Sequence, residues 1–198
     1  MIHCVFLAAG SARRFGSNKL LTDFRGKPLY RYGLDILLSA AERHGACTCT
    51  VVSRYDEILA YASSRSAEPV FGEESESGLS YSVRHAVLSL TKRSLLREGD
   101  DLLFLAADQP FLTEETLLSL MRAGDGGARC ACVTDGDAWG NPALFSASLA
   151  EELLALSGDR GGGVVLRAHA GDCVKIPCTF SGELADIDTK EALAGHFS

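Results

Sequence analysis

The sequence lacks the features that assign a chain to a membrane or to a secretory route. No apolar run approaches the roughly 20 residues that a membrane-spanning helix requires. The N-terminal stretch MIHCVFLAAG is apolar but carries no basic leader, so we do not interpret it as a signal peptide. We therefore expect a cytoplasmic protein that has no membrane partner.

Cysteine spacings typical of metal sites are also absent. The chain has seven cysteines and no C-x-x-C pair, whereas zinc sites usually use spacings of about two to four residues. Two pairs of cysteines lie two residues apart in apolar runs, which places each pair on one face of a strand. We interpret all the cysteines as core thiols rather than metal ligands. The pairs are Cys47 with Cys49 and Cys130 with Cys132, and the remaining cysteines are Cys4, Cys173 and Cys178.

An excess of positive charge is missing as well. Acidic residues outnumber basic ones by 26 to 19 and the formal charge is −7, which argues against nucleic acid as the main partner. The apolar share of 46% and the length of 198 residues fit one globular domain that spans residues 1–198. A locally basic segment in such an acidic chain indicates a site for a small anion.

That basic segment is a loop of small residues at positions 7–19, LAAGSARRFGSNK, which follows an apolar run at residues 2–6. Small side chains let backbone N–H groups approach a ligand, and the basic side chains add the charge that a triphosphate needs. The spacing matches neither the P-loop nor the dinucleotide-binding pattern. A turn with solvated basic residues therefore stays as the alternative. The predicted nucleotide-binding residues of the loop are Leu7, Ala8, Ala9, Gly10, Ser11, Arg14 and Lys19.

Segments of strand and helix type alternate along the chain, which predicts one α/β domain of three layers with a mostly parallel sheet. The continuous apolar run at residues 102–107 is typical of a strand covered on both faces. Thr113 is the expected N-cap of the next helix, and a last helix is expected from Thr189. Ligands bind beyond the carboxyl ends of such strands, so the basic loop, residues 72–82 and Asp108 are expected to share one edge.

Two sets of carboxylates are candidate ligands for Mg²⁺, which prefers one or two carboxylates together with substrate phosphates. Asp108 directly follows the buried strand, and Asp186 and Asp188 would share one face of an extended segment. The alternative in both places is the capping of a helix. Thr113 already offers a cap near Asp108, whereas Asp188 with Thr189 would make an ordinary helix start.

Two turn-rich loops, residues 136–145 and 158–163, are candidates to line a second substrate. Asn141 and Arg160 are the polar groups that these loops offer to it. Trp139 is either a surface on which a ring stacks or a packing residue beside a glycine turn.

Six short motifs of the chain occur together in one order. They are LAAGSARRFGSNKLL at 7–21, GKPL at 26–29, AADQPFL at 106–112, GNPALF at 140–145, GDRGG at 158–162 and DIDT at 186–189. With these motifs the chain closely resembles the MobA-like nucleotidyltransferases and, among them, the CTP:molybdopterin cytidylyltransferases, over nearly its whole length. The resemblance implies a Rossmann-like domain of the nucleotide-diphospho-sugar transferase type.

The resemblance also implies a reaction and a set of functional residues. CMP would pass from CTP to the terminal phosphate of molybdopterin or the molybdenum cofactor, with release of pyrophosphate. Gly10, Arg14 and Lys19 would bind the triphosphate, and Asp108 and Asp188 would hold Mg²⁺. The implied catalytic residues are Lys19, Arg14 and Asp108, and the implied acceptor-binding residues are Gln109, Asn141, Pro142 and Arg160. A client molybdoenzyme or its chaperone is a further expected partner.

Two features favour cytosine over guanine as the base. Guanylyl-specific members of the resembled family tend to carry a second glycine at the position of Ala9. The methyl group of Ala9 narrows the space beside the base, which disfavours a purine. Ser80 and Ser82 offer hydroxyl groups to the cytosine edge from a helix start, and the segment's predicted nucleotide-binding residues are Gly78, Leu79, Ser80 and Ser82. The alternative is that Ser80 caps this helix and Ala9 only packs.

The acceptor and even the activity have alternatives. Asn141 stands where relatives often carry histidine, and Gly162-Gly163 replaces a bulkier pair, both in the loops assigned to the acceptor. A nucleotidyltransferase that acts on a sugar phosphate or another small phosphate fits the same fold. A non-catalytic chaperone that binds a nucleotide or the cofactor for a molybdoenzyme is the third interpretation.

Overall fold

A sheet of seven strands forms the centre of the structure, a computed structural model that describes residues 1–9, 18–72 and 78–187. The strands of this sheet are β1 (Ile2–Ala8), β4 (Cys47–Ser53), β5 (Glu68–Phe71), β6 (Asp101–Ala106), β7 (Cys130–Asp135), β8 (Ala138–Ser146) and β9 (Cys173–Pro177). Two short strands, β2 (Asp23–Phe24) and β3 (Lys27–Pro28), pair separately as a hairpin. The helices are α1 (Tyr30–His44), α2 (Asp56–Ser64), α3 (Leu79–Lys92), α4 (Glu114–Asp125), α5 (Ala150–Leu154) and α6 (Gly163–Ala168).

The strand order is β5-β4-β1-β6-β8-β7-β9. The first four strands in this order are mutually parallel and β9 is parallel to β7, whereas β8 is antiparallel to both β6 and β7. The antiparallel step arises because only two residues separate β7 from β8, and Gly136 in that turn adopts a positive φ of 58°. The predicted α/β fold with a mostly parallel sheet is confirmed.

Alternating side chains of the buried strands pack into two apolar layers, one on each face of the sheet. In β1, Cys4 and Phe6 face the layer that contains α1, α2 and α4, while Val5 and Leu7 face the layer that contains α3, α5 and α6. Leu34 and Leu37 of α1 are fully buried in the first layer. Truncation of either to alanine is expected to cost about 2–5 kcal/mol of folding free energy.

The helix ends of the α1 and α4 layer follow directly from the sequence. α1 ends at His44 because Gly45 adopts a left-handed conformation, with φ 86°, and returns its N–H to the Ala41 carbonyl. The side chain of Thr113 accepts a hydrogen bond from the Thr116 N–H at the start of α4, so the predicted N-cap is confirmed. The predicted helix from Thr189 lies outside the described residues.

The cysteines are all free thiols. Cys4, Cys130 and Cys132 are buried in the apolar layers and the other four are partly buried. Over residues 1–9, 18–72 and 78–187 no group of three or more His, Cys, Asp or Glu side chains could hold a metal ion. In that part of the chain there is also no helix long and apolar enough to cross a membrane.

Candidate active site

The carboxyl edge of the parallel strands carries an ion pair between two residues that the sequence singled out. Lys19 Nζ donates a hydrogen bond to Asp108 Oδ2 at 2.9 Å, and the two side chains are 14% and 26% exposed. Lys19 begins a single 3₁₀ turn, Lys19–Leu21, which is fixed because the Asn18 side chain accepts from the Leu20 N–H. A cation and a carboxylate separated by 89 positions in the chain therefore meet where β1 and β6 end.

The backbone around Asp108 is held from two sides. The Ala107 N–H donates to the Leu7 carbonyl at 3.1 Å, which ties the loop after β6 to the end of β1. The Asp108 carbonyl accepts a hydrogen bond of 3.0 Å from the N–H of Ile187, the last described residue. This bond brings the segment that ends at Ile187 to the same place. Anchoring on both sides fixes where the Asp108 carboxylate points.

Beside this ion pair lies a cavity of about 780 Å³ with mainly apolar walls. Its polar lining includes three carboxylates, one guanidinium and two amides, with the indole of Trp139 also in the wall. These polar lining residues are Asp108, Asp135, Asp186, Arg167, Gln109 and Asn141. Apolar walls with a few convergent polar groups are typical of a site for a small organic ligand.

Gln109 and Asn141 place their amide groups 3.2 Å apart in the wall, where Gln109 is buried and Asn141 is partly exposed. Gln109 Nε2 donates to the Leu184 carbonyl at 3.2 Å. In the orientation that its neighbours require, the Asn141 amide donates to the Phe104 carbonyl at 3.0 Å and accepts from the Ala106 N–H at 2.6 Å. Asn141 thus completes the β6 edge just beyond its last pairing with β8, and Pro142 after it forms a cis peptide bond.

A buried carboxylate, Glu183, fixes the segment that closes this side of the cavity. Its Oε1 accepts from the Thr113 N–H at 2.9 Å and from the Thr113 hydroxyl at 2.7 Å. Its Oε2 accepts from the Thr179 N–H and hydroxyl. Burial acts to raise the pKa of Glu183, but these hydrogen bonds and one from Thr116 hold that pKa below the ordinary value.

The segment predicted to read the base is packed tightly against the loop that contains Gly158. Ser80 is buried, and its hydroxyl donates to the Gly158 carbonyl at 2.6 Å. A Cβ at Gly78 would lie 2.4 Å from that same carbonyl, and Gly78 has a φ of 121°, so glycine is required there on both grounds. Ser82 is buried as well, whereas Leu79 is 45% exposed and lines the cavity.

The structure brings several of the predicted site residues to one cavity and leaves others outside it. Leu7, Leu79, Asp108, Gln109 and Asn141 line the cavity, and Lys19 joins them through its ion pair. Ala8, Ala9 and Pro142 are buried in the interior, and Arg160 is exposed away from the lining. Gly10, Ser11, Arg14 and Asp188 lie outside the described residues.

Sequence reasoning missed Asp135 and Arg167, which both line the cavity. Asp135 ends β7, and its Oδ2 accepts a hydrogen bond from the Gly182 N–H at 3.2 Å. Part of its function is therefore to hold the segment at residues 178–187, which closes this side of the cavity. Arg167 is exposed on α6 and has no motif around it in the sequence. The strand order, which places β8 between β6 and β7, was the missing information, because periodicity does not reveal it.

The carboxylates of the site suit a hard divalent cation. Asp108 and Asp186 line the same cavity and offer oxygen donors, and Mg²⁺ needs only one or two of these together with water and substrate phosphates. The pairing of Asp108 with Lys19 shows that a positive charge beside this carboxylate is accommodated. The described residues therefore fit a divalent metal that is completed by a phosphate ligand.

The sequence matches the MobA-like NTP transferase domain over residues 4–173. It is 29% identical to the purine catabolism protein PucB of Bacillus subtilis (strain 168) over 197 residues, which covers 94% of this chain and 91% of that protein. It is also 29% identical, over 123 residues, to the probable molybdenum cofactor guanylyltransferase of Bacillus licheniformis, covering 60% of this chain and 54% of that one.

Solved structures share the fold over almost the full chain. A nucleotidyl transferase from Methanothermobacter thermautotroptrophicus superposes with a TM-score of 0.77 at 21% identity, over 99% of this chain and 95% of that one. The Rv0371c protein of Mycobacterium tuberculosis H37Rv, in complex with manganese, gives 0.70 at 21% identity over 98% and 96% of the two chains. The family match over most of the chain establishes that the protein belongs to the MobA-like NTP transferases and is a nucleotidyltransferase of that family.

Proposed function

We propose that the protein transfers CMP from CTP to the terminal phosphate of molybdopterin or of the molybdenum cofactor and releases pyrophosphate. The observation that carries the proposal is the Lys19–Asp108 pair at the mouth of a largely apolar cavity. It supplies a cation for a leaving pyrophosphate and a carboxylate for a metal beside a space that suits a flat organic acceptor. We expect the reaction in the cytoplasm, where CTP is available.

Transfer between two anionic groups is mainly a matter of position and charge. An acceptor phosphate must approach the α-phosphorus of the nucleotide in line with the departing pyrophosphate, and both carry negative charge. Lys19, with Arg14 from the same loop, would bind the β- and γ-phosphates and stabilise the charge that develops as they leave. No covalent intermediate on the protein is needed.

A magnesium ion would be held by Asp108, with Asp188 as the second ligand implied by the resemblance and Asp186 as a described carboxylate in the same wall. When bound, such an ion neutralises charge on the phosphates and polarises the P–O bonds. Asp108 has a second task before the metal arrives, because it holds Lys19 at 2.9 Å and so keeps the ammonium group in place.

The cavity wall is the proposed acceptor subsite. Gln109 and Asn141 present amides that can bond the edge of a pterin, and the Trp139 ring lies in the same wall for stacking. Arg167 is the basic side chain in the described part of the lining, so we add it to the acceptor-binding residues as the partner of the acceptor phosphate. Pro142 fixes the course of the Asn141 backbone, and Arg160 would reach only an acceptor that extends beyond the cavity.

The proposed preference for CTP depends on Ala9 and on the residues at the start of α3. Ala9 is buried in the apolar layer with α3, so an added purine ring would have to displace packed side chains. The Ser80 hydroxyl and N–H are already bound to the Gly158 carbonyl, and the Tyr81 N–H is bound to the Gly78 carbonyl. Ser82 is therefore the hydroxyl of this segment that we propose for the base edge. One relative is named a guanylyltransferase, so GTP is the competitor against which CTP must be tested.

Pyrophosphate release measured with each of the four nucleoside triphosphates tests this function. We expect release with CTP that requires molybdopterin and Mg²⁺, and little release with GTP. Release that depends on a sugar phosphate would instead support the alternative acceptor class. Tight binding of nucleotide or molybdopterin without any release would support the non-catalytic chaperone.

Arg167→Ala, compared with Arg160→Ala, tests the acceptor subsite in the same assay. We expect the first substitution to raise KM for molybdopterin strongly, because Arg167 lines the cavity and Arg160 does not. An equal effect of the two variants would contradict the placement of the acceptor phosphate.

A further inference from the structure

A second cluster of reactive side chains lies at the opposite edge of the sheet, where the parallel strands begin. Cys47 is the first residue of β4, and Cys4 lies near the start of β1, where it is paired in register with Cys49. The three thiols face the layer that contains α1 and α4, and the interaction with Cys47 and Cys49 raises the pKa of the Cys4 thiol well above its ordinary value. None of these residues takes part in the nucleotidyl-transfer site.

An imidazole and a carboxylate extend this cluster in one chain of contacts. His44, the last residue of α1, places its Nδ1 3.3 Å from the Cys47 sulfur. Its Nε2 lies 2.9 Å from Asp125 Oδ2, at the last residue of α4. The imidazole is 11% exposed, so its orientation is fixed by packing as well as by these contacts. A thiol beside a base that a third group orients is the arrangement that activates cysteine nucleophiles.

The charges of this chain of contacts favour a thiolate at Cys47. The hydrogen bond from Cys4 is the largest influence, and it acts with the neighbouring His44 to lower the pKa of Cys47 to about 7 in spite of burial. The hydrogen bond to Asp125 raises the pKa of His44, and the carbonyl end of α1 favours the same imidazolium. The other titratable groups around Cys47 are the Cys49 thiol, the Glu42 carboxylate and an ion pair, 2.9 Å long, between Glu68 and Arg93.

Small molecules can reach Cys47. It is partly exposed and lines a second cavity, of about 730 Å³, between α1 and β5. The cavity exists because β5 pairs with β4 only from Thr50 onward, which leaves the outer edge of β4 open at Cys47 and Cys49.

The chain contains a matched group of thiols without this environment. Cys173 is also partly buried, and its sulfur lies 3.8 Å from that of Cys132, with Cys130 alongside. The pKa of Cys173 is raised to about 11, chiefly by burial, and that of Cys130 to about 12 for the same reason. Proximity of thiols alone therefore does not produce a thiolate in this fold.

We propose that Cys47 is a nucleophilic thiol and a site of oxidative modification by hydroperoxides, activated by His44 and Asp125 and separate from the nucleotidyl-transfer site. The thiolate sulfur attacks one peroxide oxygen, so an S–O bond forms as the O–O bond breaks. Sulfur is oxidised to a sulfenic acid and the peroxide is reduced. The departing hydroxide, or the alkoxide from an organic hydroperoxide, takes the proton of the His44 imidazolium to give water or an alcohol. A neighbouring thiol, Cys4 or Cys49, can then condense with the sulfenic acid and release a second water.

The test is the alkylation rate of each cysteine in the folded protein, measured with iodoacetamide by peptide mass spectrometry between pH 5.5 and 9.5. We expect Cys47 to react on the order of 50-fold faster than Cys173 at pH 7, once the weaker nucleophilicity of a low-pKa thiolate is allowed for. The rate at Cys47 should rise with an inflection near pH 7.

Two histidine variants separate activation from structure. His44→Gln should slow Cys47 and move its inflection toward the ordinary thiol range near pH 8.5. His169→Gln is the matched control, because His169 also lies 2.9 Å from a carboxylate, Glu152, but has no thiol partner among the contacts of the described residues. Both variants should keep the melting temperature, and only the first should change the Cys47 profile.

Exposure to a small excess of hydrogen peroxide in the presence of dimedone provides the second readout. We expect Cys47 to be recovered as the dimedone adduct, or in a disulfide with Cys4 or Cys49, while Cys173 stays a thiol. Equal alkylation of Cys47 and Cys173 would overturn the proposal. So would a Cys47 profile that is the same in His44→Gln and in the unmodified protein.

Discussion

At the scale of single residues, the Lys19–Asp108 pair is the most informative contact of the molecule. A surface pair of this length contributes little to stability, commonly about 0–1 kcal/mol. Both side chains, however, are largely withdrawn from water at the edge where ligands bind, and they are separated by 89 positions in the chain. The pair is therefore better explained by the chemistry of the site than by stability.

Lys19→Ala should lower kcat/KM for CTP by about 2–4 kcal/mol of transition-state stabilisation, since it removes one preorganised cation from the leaving phosphates. The measurement is steady-state pyrophosphate release at several CTP concentrations. Lys27→Ala is the matched control, because Lys27 also forms an ion pair, 3.0 Å from Asp35, but away from the cavity. Turnover of the Lys19 variant at the level of the Lys27 variant would contradict the assignment.

Asp108→Asn should abolish turnover that depends on Mg²⁺ while the fold stays intact, because asparagine keeps the shape and removes the charge. A chelator should stop the unmodified enzyme reversibly and leave its melting temperature unchanged, since the described residues contain no structural metal cluster. A melting temperature that collapses in chelator would show that a metal has a structural function.

Two neighbouring aspartates predict opposite effects of pH on stability. Burial raises the pKa of Asp101 to about 6 from an ordinary value of 3.8, so its native form prefers the proton and stability falls as pH rises from about 4 through 6. Burial also acts on Asp100, but hydrogen bonds from the Arg97 N–H, His3 and the N-terminus lower its pKa. Stability from Asp100 is therefore present above the ordinary pKa and is lost as the pH falls below it.

Asp101→Asn should raise the free energy of unfolding at pH 7 by about 1–3 kcal/mol, and the gain should disappear near pH 4. Asp100→Asn should lower it at pH 7, with a loss that shrinks in acid. Urea unfolding at pH 4, 5.5 and 7 compares the two substitutions, which change adjacent residues of equal burial. If Asp101→Asn destabilised the protein at pH 7, this would contradict the destabilising effect that we assign to the buried negative charge of Asp101.

At the scale of elements, the closing segment at residues 178–187 depends on one carboxylate. Glu183 accepts hydrogen bonds from both Thr113 and Thr179, so it joins the start of α4 to the chain that follows β9. Next to it, Leu184 and Ile187 bond to Gln109 and Asp108. A single buried side chain thereby holds one wall of the cavity against the turn that contains Asp108.

Glu183→Ala should lower the free energy of unfolding at pH 7 by about 3 kcal/mol, because it removes the buried acceptor of four hydrogen bonds from the N–H and hydroxyl groups of Thr113 and Thr179. Urea unfolding checks this, with the exposed Glu98→Ala as the control for loss of a carboxylate. The lowered pKa of Glu183 means that the difference between variant and parent should shrink as the pH falls below the ordinary glutamate pKa near 4.5. A difference as small as that of Glu98→Ala would contradict the proposed clamp.

The positions of many helices and strands follow from the local sequence, but the way in which these elements come together in space does not. Thr113 as a cap and the strand before Asp108 both depend on neighbours along the chain, and both were predicted. The antiparallel insertion of β8 between β6 and β7 depends on long-range pairing. That insertion brings Arg167 and Asp135 to the cavity, so neither could be identified from a motif.

The same limit applies to side chains that could serve either a ligand or the fold. Ser80 was predicted to read the base, with capping of its helix as the alternative, and only the position of the Gly158 carbonyl reveals its bonded partner. Asn141 likewise completes the hydrogen bonding of β6 as well as lining the cavity. The spacing of residues in a sequence identifies such side chains as candidates, but it does not show whether each one binds a ligand or stabilises the fold.

At the scale of the whole molecule, the sheet separates two chemistries. The carboxyl edge carries the Lys19–Asp108 pair and the cavity beside it, and the opposite edge carries Cys47 with His44 and Asp125. Strands β1 and β4 run between the two edges and are buried along most of their length. The site of nucleotidyl transfer and the proposed thiol site are therefore chemically independent and can be tested separately.

The central claim is that this chain moves a nucleotidyl group to a phosphate of molybdopterin. CTP labelled at the α-phosphorus, incubated with the protein, Mg²⁺ and molybdopterin, follows that group directly. We expect the label in a cytidylylated pterin product, formed in a one-to-one ratio with pyrophosphate and much more slowly when GTP labelled in the same position replaces CTP. Label that appears only as free CMP, or that moves to molybdopterin equally well from GTP, would contradict the account.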